Sequence, residues 1–110
     1  MPKPSSADAI YRVTYEPEAR EQLNQLYDYI ATEASPGIAK GFTDAIVERC
    51  ERLARFPSRG TPRDDLRAGI RTIAFRRSVT IAYMMYPGRV SILGVFSRGR
   101  DYETLLKNDH

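Results

Sequence analysis

The chain has 110 residues, 42% hydrophobic and 28% charged, with a formal net charge of +3. This length suits one domain with one real core, and the balance argues against disorder and against a dedicated nucleic-acid binder. No apolar run approaches the roughly 20 residues of a membrane helix, no N-terminal apolar segment reads as a secretory signal, and the one cysteine, Cys50, cannot form an internal disulfide, which points to a reducing cytoplasm.

Residues 1–9 carry two prolines and two serines without a pattern and read as a flexible tail, leaving a single domain over residues 10–107. Ile10 to Tyr15 is a short β-branched and aromatic strand. Pro17 suits the first turn of a helix, and Glu18 and Glu21 favour its positive end. This first helix runs to about Glu33, its apolar stripe being Ala19, Leu23, Leu26 and Ile30, flanked by Tyr27. Ser35-Pro36-Gly37 breaks it. A second helix follows from Pro36 to about Arg55, with Ile38, Phe42, Ala45, Ile46, Arg49 or Cys50, Leu53 and Phe56 on its stripe. So short a loop predicts an antiparallel helical hairpin.

The prolines and glycine of Pro57 to Pro62 predict a loop. Three strands then follow: Ile70 to Phe75, a middle strand from Val79 to Tyr86, and a last from Val90 to Ser97. Arg76-Arg77-Ser78 turns between the first two. Pro87-Gly88 fits a type II turn, proline fixing φ at one position and glycine supplying φ > 0 at the next. Strict alternation places Val79, Ile81, Tyr83 and Met85 on one face of the middle strand. It places Val90, Ile92, Gly94 and Phe96 on one face of the last, with Ser91, Leu93, Val95 and Ser97 opposite. Both faces are largely apolar, so the sheet needs cover on both sides. Tyr102 to Lys107 forms a last helical turn. The fold class is therefore α+β, ordered β-α-α-β-β-β: an antiparallel meander, a first strand joining at an edge, and the N-terminal helical hairpin packed on one face.

Charge is unevenly spread. From Arg63 to Arg100 there are eight arginines against Asp64 and Asp65. Arginine suits planar contact with carboxylates or phosphates, so an acidic or nucleic-acid partner stands beside the plainer reading of a solvated rim. No P-loop, GxGxxG, CxxC or HExxH is present, and the single histidine is the last residue. No metal or cofactor is expected. Asp64 and Asp65 read as solvated loop acids.

The order and spacing of several fragments resemble the ParE/RelE family of type II toxins. They are Val13-Thr14, Pro17-Glu18-Ala19, Leu23, Tyr27 and Ile30, then Ala39, Phe42, Leu53, Phe56-Pro57 and Gly60. Gly69-Ile70-Arg71, Ile81-Ala82-Tyr83, Val90 to Val95 and Ser97-Arg98-Gly99-Arg100-Asp101 complete the set. The resemblance implies a small cytoplasmic toxin neutralised by a cognate antitoxin. RelE-like members cut mRNA on the ribosome, whereas ParE-like members poison DNA gyrase. No lysine lies between Lys40 and Lys107 and no histidine lies near the sheet, which tilts the expectation to gyrase poisoning without catalysis; mRNA cleavage, or an inactive binding module, remain the alternatives. No sequence-specific nucleic-acid binding and no membrane are expected.

Arg71, Arg98, Arg100 and Tyr102 are then the target-binding candidates. Arg71, in an otherwise apolar strand, is expected to meet a carboxylate, either Asp101 or the antitoxin's. Asp101 is expected to anchor the tail rather than act as a base. Tyr27, Arg77, Tyr83 and Met85 are candidates for the antitoxin, Tyr83 with a place in the core as the plainer reading. An antitoxin segment would fold onto apolar surface or a sheet edge, its acids meeting the arginines.

Overall fold

The structure is a computed structural model and describes residues 10–97 and 102–108. Strand β1 (Arg12–Tyr15) leads into α1 (Pro17–Glu33) and α2 (Pro36–Glu51). Two 3₁₀ turns follow (Arg52–Ala54 and Pro57–Arg59), then β2 (Thr61–Pro62), β3 (Ile70–Phe75), β4 (Val79–Tyr86), β5 (Arg89–Ser97) and α3 (Tyr102–Asn108). The five strands form one sheet in the order β1-β5-β4-β3-β2.

The helical hairpin forms as the sequence predicts. Pro17 and Pro36 occupy the first turns, and the Ser35 hydroxyl accepts from the Ile38 amide at 3.1 Å, satisfying one donor that the helix leaves free. The second helix ends at Glu51 rather than Arg55, and a 3₁₀ turn tightens the chain there. That turn changes the angular phase per residue, so Leu53 stays buried while Phe56 is 61% exposed. Ile38, also expected on the stripe, is 60% exposed in the first turn of α2, and Ala39 takes the buried position beside it.

Strands β3, β4 and β5 are the expected antiparallel meander. β1 does lie at an edge, but it runs parallel to β5, Arg12 opposite Arg89 and Tyr15 opposite Ile92. The other edge is β2, two residues within the expected loop, pairing Thr61 with Thr72 and Pro62 with Arg71. Gly88 has φ 72°, as its turn requires. In the β3–β4 turn Arg76 (φ 49°) and Arg77 (φ 61°) are both left-handed, a conformation costly for side-chain-bearing residues. The Arg76 guanidinium lies 4.8 Å from the centroid of the Phe75 ring, which holds it in place.

The alternation in β5 departs from expectation. Ala82 pairs with Gly94, but Tyr83 pairs with Ile92, so Leu93 is an inserted bulge residue. The bulge shifts the parity of the strand. Val90, Ile92 and Val95 therefore share the helix-facing core with Ile73, Phe75, Ile81 and Tyr83, under Ala19, Ile46, Cys50 and Leu53. Phe96 and Leu93 face the other side, where Leu66, Ile70, Ala82 and Leu106 of α3 form a second, smaller core. Both faces of the sheet are thus covered, one by the hairpin and the other in part by α3.

Candidate functional site

Arg71 and Tyr83 are directly opposite each other on β3 and β4. Together they grip the loop before β2. The Tyr83 hydroxyl donates to the Pro57 carbonyl at 2.7 Å and accepts from the Gly60 amide at 2.9 Å. Arg71 Nη1 donates to the carbonyls of Ser58 (3.0 Å) and Gly60 (2.8 Å). Arg71 therefore meets backbone oxygens, and no carboxylate pairs with it among the described residues. The loop closes over this end of the sheet and supplies acceptors that satisfy the guanidinium without a second charge. Tyr83 is fully buried, which removes it as a surface for an antitoxin. Burial raises its phenol above the ordinary range, with the Gly60 hydrogen bond opposing. Gly60 is fixed by this clamp: a Cβ there would collide with the Tyr83 hydroxyl.

Tyr102 opens α3 and stacks on Phe96, ring centroids 5.8 Å apart. Its hydroxyl accepts from Arg63 at 3.3 Å. Arg63 also holds Asp65 through two hydrogen bonds (3.0 and 2.9 Å) and Glu103 at 2.7 Å, latching α3 to the loop between β2 and β3. Asp65, expected to be only solvated, is held below the usual carboxylate range by Arg63. Asp64 accepts from the Gly69 amide at 2.8 Å and shapes the approach to β3. Arg98, Arg100 and Asp101 lie outside the described residues.

The antitoxin candidates do not gather into one patch. Tyr27 is half-buried on α1, Arg77 is exposed in the β3–β4 turn, and Met85 packs half-buried against the main core. Arg77 and Met85 sit at opposite ends of β4, about 20 Å apart along an extended strand.

The surface best built to receive a partner is one that strand and helix patterns did not disclose. A cleft of about 500 Å³ opens between the hairpin and the β4–β5 end of the sheet, its apolar walls being Leu26, Tyr29, Ile30, Phe42, Val79 and Val95. Tyr29 is 65% exposed at its mouth, although the helix stripe alone would leave it to solvent. Beside the cleft, β1 covers β5 only from Arg89 to Ile92. From Leu93 to Ser97 that side of β5 has no strand partner among the described residues, and the Val95 amide donates instead to the Gln22 side chain at 2.6 Å. The glutamine stands in for a neighbouring strand. An apolar cleft beside an unpaired strand edge can accept a peptide through side chains and main chain together.

Two further groups lie near the first 3₁₀ turn, Tyr15 half-buried and Cys50 fully buried. The Tyr15 hydroxyl donates to Glu51 at 2.7 Å; burial, then this carboxylate, keep the phenol protonated well above its ordinary range. Burial likewise pushes the Cys50 thiol up to about 12, leaving it inert at neutral pH. Among the described residues no helix is long and apolar enough to cross a membrane.

The family model described as "ParE toxin of type II toxin-antitoxin system, parDE" matches residues 13–102. Among curated proteins none matches this sequence. In three dimensions the chain is similar to a protein of the chromosomal ParDE TA system from P. aeruginosa, with a TM-score of 0.71 and 20% identity, over 80% of this chain and 96% of that one. It is also similar to a chain of the toxin-antitoxin complex RelBE2 from Mycobacterium tuberculosis, with a TM-score of 0.63 and 27% identity, over 84% of this chain and 97% of that one.

Proposed function

The chain belongs to the ParE toxin family of type II toxin–antitoxin systems, and on that premise we propose that it is a cytoplasmic toxin that poisons DNA gyrase without catalysing a reaction and is neutralised by a cognate antitoxin. The observation that carries the choice of target is the state of the sheet face beneath α3. Cutting RNA there needs cations and an acid–base group arranged around a scissile phosphate. That face instead holds Leu66, Ile70, Ala82, Phe96 and Leu106. Of the described arginines beside it, Arg63 is engaged by Asp65 and Glu103 and Arg67 lies against Met84.

The antitoxin reading is supported by the cleft and the open β5 edge. An apolar segment of the antitoxin would fill the space between Leu26, Phe42 and Val95, displacing the Gln22 side chain as main chain pairs with Val95. Arg98 and Arg100, with Tyr102 beside them, are proposed to contact the target, and Asp101 to anchor that segment.

A supercoiling assay with purified protein and gyrase tests this. Accumulation of cleaved or relaxed plasmid, relieved by the antitoxin and weakened by Arg98→Ala and Arg100→Ala, is expected. The likeness to the RelBE2 complex supports a second reading, cleavage of mRNA on ribosomes. Unchanged gyrase activity, together with transcript cleavage in a translating extract, would establish that reading in its place.

A further inference from the structure

On the sheet edge opposite β5, the strand ladder also stops early. β2 pairs only with Arg71 and Thr72, so among the described residues Ile73 to Phe75 of β3 have no strand beyond them. The Ile70 carbonyl accepts from the Arg63 amide on that outer side. Period-two alternation therefore turns the Ala74 amide and carbonyl outward too. Ala74 is exposed. Its carbonyl receives Arg49 Nη2 from α2 at 3.4 Å, at the long limit of a hydrogen bond. The same guanidinium buries its Nε with no hydrogen-bond partner, an unsatisfied donor of a kind native proteins seldom leave. Arg49 is a poor substitute for a neighbouring strand.

Two clefts flank this point, sharing Arg49 and Ala74 in their walls. Arg52 and Arg76 line one and Arg59 lines the other, while among the described residues Glu48 is the only carboxylate lining either. Four arginines thus surround an open strand edge against one acid.

We propose that this edge docks an acidic protein segment in extended conformation, which adds to β3 as a further strand. Its main chain pairs with the Ala74 amide and carbonyl. Arg49, released from that carbonyl, turns with Arg52, Arg59 and Arg76 to the segment's carboxylates. Main-chain pairing supplies geometry and the arginines supply charge selection. The outward carbonyl disfavours a phosphate backbone at the same place, which is why a polypeptide fits better than RNA. The inference deepens the antitoxin reading by giving an inhibitor segment a second contact, and it rests on that reading only for the identity of the segment's owner.

The test uses a fluorescent peptide of about eight residues, long enough for one strand, alternating Glu and Val. Anisotropy should show saturable binding that weakens with salt, and hydrogen exchange should slow at Ala74. The same peptide with Lys for Glu should not bind. Arg52→Glu with Arg59→Glu, both exposed positions, should weaken binding by about tenfold or more. Ala74→Pro, which removes the outward donor, should abolish protection; the charge variant keeps the test decisive if the proline unfolds the strand. Absence of binding, binding indifferent to both variants, or an oligouridylate competing for the same arginines with equal affinity would overturn the proposal. Toxicity is not read in this assay, so a failed gyrase experiment leaves its outcome unaffected.

Discussion

The Tyr83 hydroxyl links two parts of the chain that lie more than twenty residues apart in sequence. It joins β4 to the loop at Pro57 and Gly60 from a fully buried position. Tyr83→Phe keeps the packing but leaves a buried amide and carbonyl short of a partner, so stability should fall by about 1–3 kcal/mol. Urea unfolding of the two proteins measures the difference. Cys50 yields a prediction about pH. Its folded-state pKa, pushed up from 9.0 to about 12, exceeds its unfolded value. Above pH 9 the unfolded chain therefore loses a proton that the folded chain keeps. The thiol's contribution is intact below that pH and is lost as pH rises from about 9 to 12, with a limiting slope near 1.4 kcal/mol per unit for one group. Cys50→Ala should flatten the alkaline limb of the stability curve, which denaturation between pH 8 and about 11 would reveal; Tyr15 and Tyr83, also raised, keep part of the slope.

At the scale of elements, the bulge at Leu93 decides which residues of β5 meet the hairpin. Deleting Leu93 would make Ile92 and Gly94 consecutive opposite Tyr83 and Ala82, so the strand alternates without a bulge and Val90, Ile92 and Val95 all stay on the hairpin face. No apolar set changes face, and the deletion variant is expected to keep its cooperative thermal transition in circular dichroism, with a midpoint lowered by the loss of Leu93's contacts with the second core. The helices, the meander and its turns were legible because proline, glycine and periodicity mark them. The bulge was not, because Ile92, Leu93 and Val95 are apolar on either parity and no polar residue records the slip. For the same reason the ending of α2 was missed: Leu53 and Phe56 look alike to a helical stripe, and only a 3₁₀ turn separates one as buried and the other as exposed.

Among the described residues, charge and unpaired edges coincide on one side of the molecule only. The β5 edge carries an apolar cleft and a glutamine, whereas the β3 edge carries arginines. The arginine excess was visible in the sequence, and so was the need for cover on both sheet faces. The site was less so. Arg71 stood out as a lone charge in an apolar strand, yet its partners are carbonyls brought from a loop about ten residues away in sequence. Arg49, on the boundary of a helical stripe, looked like an ordinary alternative to Cys50. Which strand edges remain open depends on where β1 and β2 stop pairing, and no local pattern encodes that.

The parallel pairing of β1 with β5 joins the first strand made to the last. On the ribosome, Arg12 to Tyr15 must wait through the synthesis of both helices and three strands before Arg89 to Ile92 arrive. At typical elongation of about 5–20 residues per second, that is several seconds during which the main core lacks β5 and β1 has no strand to pair with. A chain stopped after Tyr86 lacks that last strand altogether and should be digested rapidly by trypsin, while the finished chain resists. Completion of the fold thus waits on β5, and a chain cut short before Arg89 lacks the strand with which both β1 and β4 pair.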